Sequence, residues 1–270
     1  REGAIWLGSL RGLTRVGSRR FLSLNARSGL AENEVTAIAD LQGGRFLLGH
    51  NSGLTFLDRD GARIEKAFAI PELSPGAGAG IARVLDIAAD SAGTIWAAAS
   101  VALLEIRRDQ KVRVHRSLGR VVSVEIDGRG RLFVLGPQNL YVRRGDRFVE
   151  LPYAFGKGRS PSGSRWLVTD GADRLFVATT AGVFWRGGLQ APELDPAAPW
   201  HRAASGDRRG DNVYAIAPAP NGDVLVGTAG GLYRLANGVL EPTTGALALG
   251  RPVYFLVRDR SKRLWAGTDD

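Results

Sequence analysis

The segment around residue 200 holds the residue types best suited to binding chemistry. Trp200 is followed by His201 and Arg202, and Arg208 and Arg209 lie a few positions further on. An indole ring stacks on sugar rings, and guanidinium groups pair with carboxylate or sulfate. The segment therefore predicts a site for a saccharide or an acidic small ligand. An upstream aromatic and basic segment could add Tyr153, Lys157 and Arg159. In the alternative interpretation, Trp200 packs its loop onto a strand edge and the arginines are solvated.

Residues for catalysis or metal binding are sparse. The three histidines, His50, His115 and His201, are far apart in the sequence, and neither a Glu-x-x-His motif nor a nucleophile elbow occurs. The acidic turns at 58–61 and 127–131 lack the ligand spacing of a calcium loop. The sequence thus predicts no catalytic residue, no metal site and no cofactor. His115 lies in an alternating segment and is predicted to belong to an outer strand.

Composition indicates short elements joined by tight turns. The chain has 270 residues, 44% of them hydrophobic, with 36 glycines and 12 prolines, which favours an all-β fold over a helical bundle. The absence of cysteine excludes disulfides and thiolate metal sites. The net charge is +9, but the basic residues are scattered through turns, so nucleic acid is not favoured as a partner.

One sequence motif occurs seven times along the chain. Its copies centre on bulky residues spaced 37 to 49 positions apart: Trp6, Leu47, Trp96, Phe133, Phe176, Leu225 and Trp265. A mostly small residue stands two positions after each: Gly8, Gly49, Ala98, Leu135, Ala178, Gly227 and Gly267. Apolar runs lie on both sides of turns rich in Asp, Gly and Asn, as in hairpins.

Each copy accommodates four short strands, which is typical of one β-propeller blade. Inner strands of neighbouring blades converge on a narrow axis, so a small residue is required there, while the bulky residue fills the wider space between blades. The glycine that starts the third strand, as in Gly182 and Gly231, is expected in the left-handed conformation, with Asn139 as a substitute. We therefore predict a single β-propeller domain over residues 1–270.

Residues 29 to 58, GLAENEVTAIADLQGGRFLLGHNSGLTFLD, carry a Gly-Leu pair, a Val-Thr-Ala-Ile run, an Asp- and Gly-bearing turn and a second Gly-Leu pair. This segment resembles the two-component-regulator propeller repeat, as do residues 212–235 and 253–270. The units around Leu135 and Ala178 resemble it more loosely. The resemblance implies the periplasmic or extracytoplasmic sensor domain of a bacterial receptor whose output is a histidine kinase or a diguanylate cyclase. It further implies a ligand that is often a saccharide, adjacent receptor domains as partners, and no catalytic residue.

The terminal repeats are shorter than the others. The first lacks its innermost strand, and the last stops after Thr268, where a further strand is expected. The strand total exceeds what six four-stranded blades need and falls short of what seven need. Either the strand at 253–257 completes the Trp6 blade in a ring of six, or the ring has seven blades and is incomplete at both ends. The family pattern favours seven blades.

Membrane contact is expected only through parts outside this chain. No apolar run approaches the roughly 20 residues that cross a bilayer, and arginines interrupt residues 1–20.

In a propeller, the connections between blades and the turns between second and third strands emerge on one face, where binding residues concentrate. The long loops expected on that face are 17–33, 69–82, 153–163 and 187–211.

Two other functions stay open. A propeller with no small ligand would act as a protein-interaction scaffold, and a homodimer is compatible with either interaction role. His50 and His201 could share a face, which resembles the streptogramin-cleaving propeller lyases; such an enzyme needs a histidine base near Mg²⁺ and carboxylates.

Overall fold

The computed structural model describes residues 5–9, 12–17, 20–41, 45–58, 63–73, 82–152, 163–170, 173–205, 212–219, 222–245, 248–258 and 264–268. Their regular structure is almost entirely β, which confirms the predicted all-β class. The described helices are single 3₁₀ turns at Ala26–Ser28, Pro71–Leu73 and Arg116–Leu118. In the described ranges, none is long and apolar enough to span a membrane.

Two compact units make up the chain, residues 1–124 and 125–270. The first unit contains three sheets. The first sheet has three strands, β1 (Ile5–Ser9), β2 (Gly12–Gly17) and β3 (Arg20–Leu24). The next has four, β4 (Ala37–Asp40), β5 (Phe46–Gly49), β6 (Gly53–Leu57) and β7 (Ile64–Ala69). The third also has four, β8 (Val84–Ala89), β9 (Ile95–Ala99), β10 (Leu103–Ile106) and β11 (Val112–His115).

The remaining sheets follow in chain order, and the boundary between the units falls inside β12. The fourth sheet has four strands, β12 (Ser123–Ile126), β13 (Leu132–Leu135), β14 (Leu140–Arg144) and β15 (Arg147–Leu151). The fifth sheet also has four, β16 (Ser164–Thr169), β17 (Leu175–Thr179), β18 (Gly182–Arg186) and β19 (His201–Arg202). A five-stranded sheet has the spatial order β20 (Ala204–Ser205), β24 (Val239–Pro242), β23 (Gly231–Ala236), β22 (Val224–Thr228), β21 (Val213–Pro218). The last sheet pairs β25 (Phe255–Arg258) with β26 (Leu264–Gly267). Hairpin neighbours such as β8 and β9 run antiparallel, whereas β20 adds to β24 in parallel.

The sequence repeat maps directly onto these sheets. The seven bulky residues lie on seven strands, each in a different sheet: β1, β5, β9, β13, β17, β22 and β26. Strand β25 pairs with β26 in a sheet of two described strands. Seven blades and a single domain stay predictions.

Close packing between consecutive sheets explains the column of small residues. A Cβ on Gly49 would lie 2.6 Å from Cγ1 of Val84, the first residue of the next sheet. A Cβ on Gly227 would lie 2.5 Å from the carbonyl oxygen of Val253. Because such contacts are below van der Waals distance, a larger residue would push neighbouring sheets apart. The steric interpretation of this column is confirmed at both glycines.

The glycines that open the third strands have two different reasons. Gly182 and Gly231 have φ values of 118° and 127°, which confirms the predicted positive-φ conformation, one that only glycine adopts readily. Gly53 does not have a positive φ; instead, a Cβ there would lie 2.6 Å from the carbonyl oxygen of Phe68. The prediction for Asn139 was wrong, since it is not among the positive-φ residues and its Nδ2 donates to Glu150 Oε1 at 2.8 Å.

Two strand carboxylates each accept hydrogen bonds from a hydroxyl and from a backbone N–H. In the first unit, Oδ2 of Asp86 accepts hydrogen bonds from Ser123 Oγ at 2.6 Å and from the Val124 N–H at 3.0 Å. In the second unit, Oε1 of Glu125 accepts from Thr169 Oγ1 at 2.8 Å and from the Thr169 N–H at 2.9 Å. The same chemical device therefore occurs twice, because each inner strand offers a hydroxyl and an N–H to the preceding one.

Asp86 makes stability depend on pH. Burial raises the pKa of Asp86 above its ordinary 3.8, and this outweighs the hydrogen bonds from Ser123, Val124 and Ile87, which lower it. The native state therefore binds this proton more tightly than the unfolded state. Its contribution to the free energy of unfolding should be greatest below pH 3.8 and fall as pH rises toward the raised pKa.

Asp86→Asn should remove that decline, which urea unfolding of both proteins from about pH 4 to pH 8 would reveal. Asp109→Asn serves as a control of opposite sign, because hydrogen bonds from Lys111 lower the pKa of this exposed carboxyl. A wild-type minus Asp86→Asn difference that does not change with pH would contradict the prediction.

Candidate functional site

The loop that precedes Trp200 lies within one sheet. Residues 187–200 connect β18 to β19, the third and fourth strands of their sheet. The loop starts at the sheet edge that also holds the β16–β17 turn. The prediction that the whole 187–211 segment connects two blades was therefore wrong. The reason is that β19 has only two residues, His201 and Arg202, a length too short to give a sequence pattern.

Hydrogen bonds from two neighbouring turns hold the start of this loop. The carboxylate of Asp173 accepts from the Gly188 N–H at 3.0 Å and from the Gln190 N–H at 2.7 Å. These bonds lower the pKa of Asp173. Arg131 donates Nη1 to the Ala191 carbonyl at 3.0 Å and Nη2 to the Leu189 carbonyl. The loop is thus positioned by side chains from β12–β13 and β16–β17.

An Asp–Arg pair four residues apart organises each of these turns. Asp127 Oδ2 accepts from Arg131 Nε at 2.6 Å, and Asp170 Oδ2 accepts from Arg174 Nε at 2.6 Å. In each pair the carboxylate also caps backbone N–H groups of its own turn. The free end of the arginine then reaches another segment, the 187–200 loop for Arg131 and the Gly222 carbonyl, at 2.7 Å, for Arg174. These turns were predicted to be hairpins, and their carboxylates act as structural anchors.

Three of the predicted site residues meet at this sheet edge. Trp200 is half-buried, and its Nε1 donates to the Pro152 carbonyl at 3.0 Å. His201 is exposed and stacks on Trp185 with 4.5 Å between ring centroids. Arg202 is exposed, and its Nη2 donates to the Ala181 carbonyl at 3.0 Å. The other predicted site residues lie outside the described residues: Tyr153, Lys157, Arg159, Arg208 and Arg209.

An open apolar depression lies beside Trp200. Its volume is about 410 Å³, and its lining is Pro152, Pro196, Ala197, Ala198, Pro199 and Trp200. Because proline fixes the backbone at φ near −65°, the proline-rich lining of the depression loses little conformational entropy when a ligand binds. An apolar lining that includes an indole suits the apolar face of a ring. Whether this depression binds a saccharide stays a prediction.

Arg186 is a buried charge next to this loop that the sequence interpretation missed. Only 1% of it is exposed, its Nη2 donates to the Asp195 carbonyl at 2.5 Å, and its Cζ lies 5.8 Å from the centroid of the Trp200 ring. Burial lowers the pKa of Arg186, and the charge of Asp195 opposes that effect. The sequence carries a partial signal: the equivalent positions of the other repeats are Val16, Leu57, Ile106, Arg143 and Leu235, so four of the five are apolar.

Each of the three histidines has local partners of its own. His50 is buried, with Nδ1 2.7 Å from the Glu34 carbonyl and Nε2 2.9 Å from Thr55 Oγ1, and burial lowers its pKa. Because both ring nitrogens are engaged, His50 is a structural residue and not a base for a substrate. The lyase alternative therefore depends on His201. His115 ends the outer strand β11, as predicted, and pairs with Glu105 at 3.0 Å.

A second polar cluster lies in the first unit and is internally satisfied. Glu32 accepts from the Ser52 N–H at 2.7 Å, and Glu34 accepts from Asn51 Nδ2 at 3.0 Å and Arg83 Nη2 at 2.6 Å. Burial acts to raise the pKa of Glu32, but the hydrogen bonds from Ser52 and Asn51 bring it below its ordinary value. These groups stabilise the ends of two sheets. Within the described part of the chain, no group of three or more His, Asp or Glu residues could hold a metal ion.

Comparison with known proteins identifies the fold. No protein-family model and no curated protein matches the sequence. The chain is similar to the extracellular domain of BT4673, assigned to a hybrid two-component system of B. thetaiotaomicron, with a TM-score of 0.74 and 17% identity over 99% of this chain and 36% of that chain. It is also similar to PorZ, an essential bacterial surface component of the type-IX secretion system of Porphyromonas gingivalis, with a TM-score of 0.72 and 15% identity over 98% of this chain and 43% of that one.

A third structure, the β-propeller domain of Cps50 (Swd1) from Myceliophteria thermophila, matches with a TM-score of 0.64 and 13% identity, over 88% of this chain and 81% of that one. Sequence identities this low show a shared fold and nothing more. That fold is all-β, of the propeller type, with several four-stranded sheets. The chain spans 36% of the length of the BT4673 extracellular domain and 43% of PorZ.

Proposed function

We propose that this chain is a ligand-sensing β-propeller domain from the extracytoplasmic, periplasmic part of a bacterial signalling receptor with two-component-regulator propeller repeats. It binds its ligand without transforming it and acts through a histidine kinase or diguanylate cyclase elsewhere in the receptor. The observation that carries the proposal is the structural likeness, over 99% of the chain, to an extracellular domain assigned to a hybrid two-component system. The sequence repeat supports the same class independently.

The ligand of this proposed sensor is a saccharide held at the Trp200 edge. The sugar face stacks on the indole beside the proline-lined depression. The next two residues of the chain, His201 and Arg202, are exposed and supply the polar contacts. The 187–200 loop is held by Asp173 and Arg131, so the platform is largely preorganised before binding. A ligand that contacts this edge more favourably in one receptor arrangement shifts the receptor toward that arrangement.

The test is calorimetric titration of neutral and acidic oligosaccharides into the wild type and into Trp200→Ala and Trp200→Phe. Loss of the aromatic surface in Trp200→Ala should weaken binding about tenfold or more, whereas Trp200→Phe should retain most of it because stacking persists without the N–H bond to Pro152. Arg202→Ala should reduce affinity for acidic sugars, with exposed Arg120→Ala as the matched control. Unchanged affinity in Trp200→Ala would reject the site.

A second candidate function, a protein-interaction scaffold, is favoured by one observation. Next to and on β25, Tyr254, Phe255 and Val257 are 48%, 46% and 40% exposed. Exposed large apolar side chains this close together are typical of interaction surfaces. If the domain is a scaffold, Phe255→Ser should abolish association with the neighbouring receptor domain while saccharides fail to bind the wild type.

A further inference from the structure

An arginine occupies a core position of one sheet. Arg186 takes the same register in its sheet that Leu57, Ile106 and Leu235 take in theirs. Those three residues are 0%, 1% and 3% exposed, and Arg186 is 1% exposed. Strand β14 also has an arginine at this register, Arg143, but its side chain is 31% exposed and pairs with Asp146. Arg186 differs from it because its charge is buried where three other sheets place an apolar side chain. Such violations concentrate at functional sites, because folding alone would favour leucine.

The guanidinium of Arg186 has unused hydrogen-bonding capacity. Nη2 donates to the Asp195 carbonyl, but Nε and Nη1 are buried and have no hydrogen-bond partner among the described residues. The Asp195 carboxylate lies close enough for its charge to act on Arg186 but makes no hydrogen bond to these two nitrogens; its Oδ1 accepts from the Ala197 N–H at 2.8 Å. Leaving donors of a buried cation unsatisfied is costly, and an anionic partner would remove that cost.

Trp200 covers this cation on the side of the candidate ligand site. Its ring lies over the guanidinium, a cation–π arrangement that offsets part of the missing hydrogen bonding. The same indole lines the open depression with Pro196 and Pro199. A movement of the Trp200 side chain would therefore expose Arg186 to a ligand already bound in the depression.

We propose that Arg186 is a concealed anion-binding residue that selects saccharides bearing a carboxylate or a sulfate. The acidic group of the ligand takes the guanidinium nitrogens that lack a partner, and Trp200 moves from covering the charge to stacking on the sugar. This inference rests on the proposed function, because it names the substrate class of the same site. It explains why the chain keeps a buried arginine at a register where three other repeats have a buried leucine or isoleucine.

The test compares trigalacturonate with its fully methyl-esterified form, which has the same sugar ring without the charge. The wild type should bind the acid at least tenfold more tightly than the ester. Arg186→Leu, which restores the residue of the equivalent repeats, should keep or raise Tm and bind acid and ester equally. Arg186→Gln is a second neutral variant in case the leucine variant does not fold. Equal affinity of the wild type and both variants for the acid would overturn the proposal.

A second arm separates this inference from the proposed function. Inorganic sulfate at constant ionic strength should raise the Tm of Trp200→Ala more than that of a double variant that also carries Arg186→Leu. If neither trisaccharide binds but this sulfate effect is present, the saccharide proposal fails and the anion site stands. If both trisaccharides bind through Trp200 with no dependence on Arg186, the sensor proposal stands and the anion site fails. If sulfate gives no Arg186-dependent shift and the acid shows no preference, the anion site is excluded.

Discussion

Replacement of Gly231 by valine is expected to lower the free energy of unfolding by about 3 to 5 kcal/mol. Two independent costs add at this residue. Its φ of 127° lies where β-branched residues are strained, and a Cβ would stand 1.8 Å from the carbonyl oxygen of Leu249. The obstructing atom is backbone that accepts a hydrogen bond from the Leu232 N–H at 3.1 Å, so moving it also breaks a contact.

Two other glycines separate the conformational cost from the steric cost. Gly238 has a φ of 81° with nothing within 4 Å of a built Cβ, so Gly238→Ala should cost only about 1 kcal/mol. Gly250 has open space and no positive φ, so Gly250→Ala should be nearly neutral. Urea unfolding of the three variants against the wild type measures the differences. If Gly231→Val is no less stable than Gly238→Ala, the close approach of Leu249 is not a real constraint.

Asp127→Ala is expected to cost about 3 kcal/mol, because it leaves Arg131 without its counter-charge in a largely buried place. The side chains of Asp127 and Arg131 are 4% and 16% exposed, and their Oδ2–Nε distance is 2.6 Å. The substitution also removes the acceptor of the Arg129 and Arg131 N–H groups, both at 2.9 Å. Because the pair is so buried, water cannot fully hydrate the charge of Arg131 once Asp127 is removed.

The consequence of Asp127→Ala should reach the candidate site through Arg131. Amide hydrogen exchange at residues 188–191 should accelerate, because Arg131 holds the Leu189 and Ala191 carbonyls. Asp109→Ala is the matched control, since Asp109 and its partner Lys111 are 51% and 84% exposed and solvent screens their attraction, so its loss should leave stability nearly unchanged. Unchanged exchange at 188–191 in Asp127→Ala would show that Arg131 does not position the loop.

Local pattern was sufficient to predict the sheets. A bulky residue followed at the second position by a small one recurs because consecutive sheets pack together there, as Gly49 against Val84 shows. The turns between apolar runs were readable for the same reason, since a hairpin is set by residues that are neighbours in sequence. The positive φ of Gly231 followed from residue type, but the reason for Gly53, contact with the Phe68 carbonyl, involves a residue on another strand.

Contacts between distant segments decided the candidate site. The sequence identified the Trp200 segment by composition, yet the strand that ends it has two residues, and its loop is held by Asp173 and Arg131 from other turns. His50 was a candidate base until its ring was found between Glu34 and Thr55.

Arg186 shows where the two kinds of information meet. Its place at the end of a third strand follows from the sequence repeat, because strand periodicity aligns it with Leu57, Ile106 and Leu235 but also with the partly exposed Arg143. That its guanidinium lies under Trp200 with two nitrogens lacking described partners was decided only by the tertiary structure. Strand periodicity is a property of neighbouring residues, whereas burial and hydrogen bonding of a long side chain depend on whichever distant segments fold against it.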